Sequence, residues 1–406
     1  MPGLELLKLS SLERHCSSLE EVLYNKKMKY FLSRESILKW LEAPSVYHIK
    51  KDELYELDDE SFEFLKLCSS ENGCDSENTE FIDYCMAERL LTMETTSVKR
   101  PPVIKSPVPS LRYLELQITD RCNLRCRHCY IGEKTPEELT VKQINGTLKE
   151  FEEMQGLRVM ITGGEPLLHS NFDALNYVLP GFSIRKVLFT NGLLLNKGLL
   201  RGLNVDEIQI SIDGLEKGHD SLRGAGTFTK ALKALRLAKE TGFEVSVATM
   251  VHAKNLDDFD EMEKLFSDLE IKDWTVDVPC ITGRLESSSE FQVSPEVGGK
   301  YLRYGYGAGL HAGETGFGCG LHLLSVMADG NVTKCTFYSD RPVGSITDGL
   351  RECWKKTTPV SLKDLSCDCA YLEACRGGCR YRAELFGDPL GKDLYKCYLH
   401  DIIKNK

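Results

Sequence analysis

Between Arg121 and Tyr130 the chain reads RCNLRCRHCY, which sets Cys122, Cys126 and Cys129 within eight residues and follows them with an aromatic ring. Thiols this close are ligands for soft metals once deprotonated, and an iron-sulfur centre and zinc both accept cysteine at this density. A structural zinc site would want a fourth ligand nearby, for which His128, adjacent to Cys129, is the only neighbour. Three thiolates on a 4Fe-4S cluster would instead leave one iron with no protein ligand, and an open coordination position is where chemistry takes place. A second concentration of thiols runs Cys319, Cys335, Cys367, Cys369, Cys375, Cys379 and Cys397. Cys16, Cys68, Cys74 and Cys85 show no ligand spacing and read as small buried hydrophobes, as does Cys353 beside Trp354.

The bounds of the chain favour metal over disulfides. The N-terminus MPGLELLKLSSLERHC lacks the basic start, apolar core and cleavage site of a secretion signal, which points to the cytoplasm, where thiols stay reduced. With 42% hydrophobic and 28% charged residues, and no apolar run near the ~20 residues of a membrane span, the expectation is a soluble protein with no membrane partner. A net charge of -10 argues against nucleic acid, because phosphate binding needs a basic surface.

The elements that must position these thiols fall into successive parts. Residues 1–95 hold the alternating segment SVYHIKKDELYEL. A helix over DDESFEFLKLC follows, capped by Asp58 or Asp59, with Phe62, Leu65 and Leu67 on one side, and then a second helix over NTEFIDYCMAERLL. This part is expected to be a small α+β domain. Residues 96–110 contain KRPPVIKSPVPS, whose four prolines in twelve residues exclude a helix or central strand and mark a linker. From Leu111 to about residue 300, the strands YLELQIT, RVMIT, KVLFT, EIQISI, EVSVATMV and WTVDV alternate with amphipathic helices such as VKQINGTLKEFEEM and FTKALKALRLAKETG. That alternation predicts parallel strands with crossover helices, an α/β fold forming a partial (β/α)6 TIM-like barrel. Functional residues belong at the C-terminal ends of its strands, and the thiol run, GGEP, the Asn191-Gly192 turn and SIDG all fall there. Residues 301–406 form a cysteine-rich extension.

The spacing C-x3-C-x2-C with Tyr130 after the last cysteine resembles the radical S-adenosylmethionine superfamily. That resemblance implies that Cys122, Cys126 and Cys129 hold a 4Fe-4S cluster whose open iron binds S-adenosylmethionine, and that one electron from the cluster yields a 5'-deoxyadenosyl radical. It further implies that Gly163, Gly164, Glu165 and Pro166 form the turn holding the methionine amino group, with Ser211 and Asp213 contacting carboxylate and ribose. Arg223 could pair with the methionine carboxylate; Asn191 lies in what is first of all a turn dipeptide.

The C-terminal thiols, with Gly330-x4-Cys335 and Cys369-x5-Cys375-x3-Cys379, resemble the SPASM extension of radical enzymes, although Cys367 and Cys369 are one residue apart where that pattern has two. By this resemblance Cys367, Cys369, Cys375 and Cys397 hold an outer auxiliary cluster and Cys319, Cys335 and Cys379 an inner one, making three 4Fe-4S clusters in all. Fully ligated relatives carry one more cysteine six residues before the first; here that position is Gly313, so the inner cluster is open or uses Cys280. A pair of zinc sites is the alternative for the array, and a non-ligating buried thiol is the alternative for Cys280.

The N-terminal pattern is similar, in topology more than in sequence, to the winged-helix-like domain with which ribosomal-peptide maturases hold a precursor's leader, as a strand added to a sheet edge. The expected function is oxidative modification of such a peptide by cross-link, thioether or desaturation, with an electron donor of flavodoxin or ferredoxin type. A sulfatase-maturing enzyme is disfavoured, since Thr336 stands where those relatives carry an aspartate; a haem-side-chain-modifying enzyme would leave the N-terminal part without a task. An iron-sulfur carrier would not need GGEP or SIDG. No base stands out, although Asp277 at the end of the sixth strand would face the barrel mouth; a structural role is the other reading of that residue.

Overall fold

The computed structural model describes residues 28–96, 98–133, 135–307 and 316–403. Cys16 and Gly313 lie outside the described residues. The chain divides into two compact units. The first comprises residues 1–110 with 152–157 and 183–185; the second comprises residues 111–151, 158–182 and 186–406.

In the first unit, β1 (Phe31–Leu32) is followed by a meander of β2 (Ser36–Trp40), β3 (Pro44–His48) and β4 (Glu53–Glu56), paired antiparallel with Ile37 opposite Tyr47 and Val46 opposite Tyr55. Helices α1 (Asp59–Cys68) and α2 (Thr79–Ala87) come next, and β5 (Leu91–Thr92) returns to pair with β1. Each helix starts where a short polar side chain can satisfy an orphan backbone N–H. Asp58 accepts from Ser61 N at 2.7 Å, and Asn78 accepts from Phe81 N at 3.1 Å. Leu32, Leu38, Val46, Phe62, Leu65, Phe81 and Ile82 form the core with Cys68 and Cys85. Leu67 does not join it and is 57% exposed. The inward stripe is Phe62, Leu65 and Cys68 at intervals of three, which turns Leu67 toward solvent. The Cys68 and Cys85 thiols are pushed up to about 12 by burial, as suits inert apolar packing.

The second unit is built on β6 (Tyr113–Gln117), α3 (Val141–Glu153), β7 (Arg158–Thr162), α4 (Phe172–Val178), β8 (Arg185–Thr190), α5 (Lys197–Gly202) and β9 (Glu207–Ser211). It continues through α6 (Glu216–Arg223), α7 (Thr227–Glu240), β10 (Glu244–Met250), α8 (Phe259–Asp268) and β11 (Trp274–Asp277). The strands β6 to β11 lie side by side in chain order, the partial barrel expected from the alternation of strands and helices. Their apolar positions, among them Leu114, Ile161, Leu188, Ile210 and Val247, are fully or nearly fully buried.

Beyond six strands the sheet grows by three that the sequence reading missed. After α9 (Pro295–Tyr301), β12 (Leu323–Val326) pairs parallel to β6, and β13 (Asn331–Thr333) and β14 (Gly344–Ser345) add antiparallel. These strands of two to four residues are too short to display a period. The β12–β13 hairpin has a local consequence: Cys319 and Cys335 flank its two open ends and are brought together. Short helices α10 (Leu350–Lys355), α11 (Leu372–Cys375) and α13 (Leu394–Leu399) carry Cys353, Cys375 and Cys397, Cys379 caps α12 (Arg380–Leu385), and Cys367 and Cys369 precede α11 outside any helix. A Cβ on Gly299 of α9 would lie 2.4 Å from Tyr395 O, so only glycine allows α13, with Cys397, to approach this closely. Among the described residues no helix is long and apolar enough to cross a membrane.

Replacing Asp58 by Ala should weaken the first turn of α1 by about 1 kcal/mol. Hydrogen exchange of the amides of residues 61–65 should accelerate roughly fivefold while those of α2 hold.

Candidate cluster and cofactor site

The loop after β6 presents the three thiols, and the turn after β7 holds it in place by backbone contacts. Gly164 N–H donates to Thr119 O and Glu165 N–H to Arg121 O, both at 2.8 Å. A Cβ on Gly164 would stand 2.5 Å from Arg121 O and 2.6 Å from Asp120 O, so the second glycine of GGEP is required by this approach. From the other side, Arg127 N donates to Leu222 O at 2.9 Å and Arg284 N to Cys129 O at 3.1 Å. Cys122 is exposed, Cys129 half-buried and Cys126 buried, and the three thiols lie within electrostatic reach of one another.

Glu165 is fully buried, with Thr190 Oγ1 at 2.8 Å and Asn191 N at 2.9 Å as donors; burial nevertheless pushes its carboxyl up to about 7. Asn191 also donates through Nδ2 to Asn123 Oδ1 at 2.7 Å, which ties the turn after β8 to the residue next to Cys122. Pro166 is buried at the start of a short 3-10 turn. Tyr130 turns its hydroxyl to Gln117 Oε1 at 3.0 Å and its ring to Phe337 at 5.9 Å between centroids. Ser211 ends β9, half-buried.

Arg223 is not a solvated arginine. It lies at the end of α6, forms a short ion pair with Asp213, and reaches Cys126 Sγ at 4.0 Å through Nη1. Asp213 is fully buried and accepts from Met250 N at 2.7 Å. Burial alone would raise its carboxyl, yet the Arg223 guanidinium holds it well below the usual range. The structure therefore gives both Asp213 and Arg223 a partner within the protein. His128 sits in this same group, near Asp213, His219 and His252, with its imidazole pushed down to about 4 by burial. A cavity of about 950 Å³, lined by Asn123, Leu124, Arg125, Arg223 and Gly283 among others, opens beside the thiol loop. Three thiols with a guanidinium beside one of them, next to a cavity of this size, fit an anionic iron-sulfur cluster and a nucleoside-sized cofactor.

The C-terminal thiols gather in two groups. Cys367, Cys369, Cys375 and Cys397 line one small cavity with Gly377, Lys392, Asp393 and Lys396, so the shortened Cys367–Cys369 spacing still delivers both thiols to one place. Gly377 N donates to Cys375 Sγ at 3.3 Å. The second group centres on Cys379, whose thiol lies beside that of Cys280 and within electrostatic reach of Cys319 and Cys335. The interaction between the two thiols draws that of Cys379 below its ordinary value and drives that of Cys280 above it.

Asp277 ends β11 as expected but is not presented as a free base. Its Oδ1 accepts from Arg382 Nη1 at 2.5 Å, and Arg382, 4% exposed, also holds Val278 O at 2.9 Å and Asp393 Oδ2 at 2.9 Å. This buried ion pair joins the strand end to α12, which is a structural role. The sequence reading missed Arg382; its place in CRGGCRYR among the thiols was the available signal.

Residues 116–266 match the Radical SAM superfamily. The chain carries a radical SAM domain. Over 338 residues it is 25% identical to the AdoMet-dependent heme synthase of Oleidesulfovibrio alaskensis, covering 70% of this chain and 87% of that protein. It is 32% identical over 159 residues to the mycofactocin maturase MftC of Mycolicibacterium smegmatis, covering 37% of this chain and 41% of that one. Against MftC of Mycobacterium ulcerans it is 28% identical over 327 residues, 68% of this chain and 85% of that one. Among solved structures, SuiB of Streptococcus suis bound to S-adenosylmethionine superposes with a TM-score of 0.65, covering 90% of this chain and all of that one. At 15% identity the likeness to SuiB concerns the fold of the radical SAM domain and its surroundings.

Gly164→Ala should displace the thiol loop while the sheet stays intact. Iron bound through Cys122, Cys126 and Cys129 should fall, and deoxyadenosine formation should drop by about tenfold or more, the scale set by an overpacking cost of ~1–3 kcal/mol. Unchanged circular dichroism would separate this from unfolding.

Proposed function

We propose that the chain is a radical S-adenosylmethionine enzyme that oxidatively modifies a ribosomally synthesised precursor peptide, held through its leader by the N-terminal unit. The observation that carries this reading is the thiol loop pinned on Gly164 and Glu165, with Arg223 beside Cys126 and a cavity alongside. Cys122, Cys126 and Cys129 would hold a 4Fe-4S cluster, which together with bound S-adenosylmethionine would supply radical abstraction of a hydrogen atom from a substrate carbon.

The residues of the chain then have separate tasks. Glu165, fixed by Thr190 and Asn191, accepts from the methionine ammonium; Gly163 and Pro166 shape that turn. Ser211 and Asn191 border the cofactor, and Tyr130 covers the last thiol. The Asp213–Arg223 pair keeps a cation next to the anionic cluster in surroundings from which water is largely excluded. A net oxidation needs an electron acceptor, and the two C-terminal thiol groups are where auxiliary clusters would be held: Cys367, Cys369, Cys375 and Cys397 for the outer, and Cys319, Cys335 and Cys379 for the inner. Electrons for the radical step come from a flavodoxin- or ferredoxin-type donor in the cytoplasm.

Peptide as substrate is supported by the first unit. Its β2-β3-β4 sheet ends on β4, a half-exposed strand whose outer edge pairs with no other strand among the described residues, and such an edge takes an extended peptide by backbone hydrogen bonds. MftC is a maturase by name, and SuiB has also been solved with its precursor peptide SuiA. A haem-modifying activity is favoured by the longer match to heme synthase, but it gives the first unit no task.

Incubating the reconstituted, reduced protein with S-adenosylmethionine and the full precursor encoded nearby should remove hydrogen pairs from the peptide, and the leaderless core should remain unmodified. Deoxyadenosine formed with no change in peptide mass overturns the substrate assignment. A second expectation follows from Glu165. Burial holds its carboxyl near about 7, so affinity for S-adenosylmethionine should fall as pH drops through 7, by up to about tenfold per unit. Glu165→Gln should flatten that dependence in equilibrium binding.

A further inference from the structure

We infer that Cys280 supplies the fourth thiolate of the inner auxiliary cluster, so that this iron-sulfur site is closed. The inference rests on the reading of Cys319, Cys335 and Cys379 as ligands of that cluster. A fully ligated 4Fe-4S cluster takes four thiolates, and the residue at the position where relatives carry the extra one is Gly313. The structure brings a different thiol to the place. Cys280 follows β11 by three residues, is 3% exposed, and sets its thiol beside that of Cys379.

The pair is built rather than incidental. Arg382 holds Asp277 and Val278, immediately before Cys280, and also holds Asp393, whose Oδ2 accepts from Cys379 N at 2.8 Å. One guanidinium therefore fixes the two segments that carry the two thiols. Cys319 and Cys335 come to the same Cys379 from the open ends of the β12–β13 hairpin. Among the described residues, Cys68 and Cys85 fill the core of the first unit with Cys74 packed against it, and Cys353 packs under β14 with its thiol toward Ser345 O. A site with four thiolates has no iron position left for a substrate thiol or amide, which restricts the inner cluster to passing electrons.

The test uses the full chain carrying Cys122→Ala, Cys126→Ala and Cys129→Ala, which leaves only auxiliary iron, reconstituted with 57Fe and exposed to 13C-cyanide. Expected is no 13C coupling to the reduced clusters in this parent and in a Cys353→Ala control. Adding Cys280→Ala should produce a 13C coupling on one cluster and partial conversion of that cluster to a three-iron form on oxidation. Cys280→Ser should keep four irons with an altered Mössbauer doublet. Cyanide coupling in the parent overturns the inference even if the Cys280 variants fail to fold, and so do Cys280 variants with unchanged spectra. A parent that binds only one four-iron cluster overturns the underlying reading of the inner site instead.

Discussion

The cofactor end of this protein depends on one backbone contact, the seating of the turn after β7 against the carbonyls that precede Cys122. Gly164 and Glu165 donate to Thr119 and Arg121, and no side chain fits between the two stretches. Because the contact is made by main chain on both sides, the thiol loop inherits the rigidity of two adjacent parallel strands, β6 and β7, instead of having its own. Glu165 then reaches the turn after β8, and Asn191 reaches back to Asn123, so that three consecutive strand ends are linked around the loop. Preorganisation of this sort is what a reactive intermediate requires, since a misplaced radical attacks whatever is nearest.

A second theme is the use of buried guanidinium groups beside sulfur. Arg223 pairs with Asp213 and approaches Cys126; Arg382 pairs with Asp277 and Asp393 and stands next to Cys379. In each case a carboxylate offsets the cost of burying the cation, and the cation stands beside a thiol. The acidic partner orients the guanidinium as much as it neutralises it, because a planar fork held at two corners has one direction left.

Much of this was legible in the sequence. All six barrel strands, the capped helices and the two thiol groups follow from periodicity and spacing, since these elements are long enough to show a pattern or carry residue types with few other uses. What was not legible was pairing at a distance. Asp277 reads as a candidate base until Arg382, more than a hundred residues later, is found on its carboxylate. Arg223 reads as a contact for the methionine carboxylate, and its ion pair with Asp213 has no signature in the sequence. The strands β12 to β14 are defined by neighbours and not by internal alternation, so nothing local announces them, and Leu67 faces out because a helix of ten residues buries only one narrow stripe.

The pairing of β12 with β6 has a consequence in time. Tyr113 meets Leu323, so the first strand of the barrel lacks its outer neighbour until some two hundred further residues have left the ribosome. Throughout that interval β6 is a sheet edge with unsatisfied donors and acceptors, and the loop that follows it carries three bare thiols. Contacts of such sequence separation form late, and an unpaired edge of this kind invites association with other chains. Synthesis of this protein is thus a period of exposure that ends only when its C-terminal third arrives, which makes the supply of chaperones and reducing conditions during translation a condition of obtaining active enzyme.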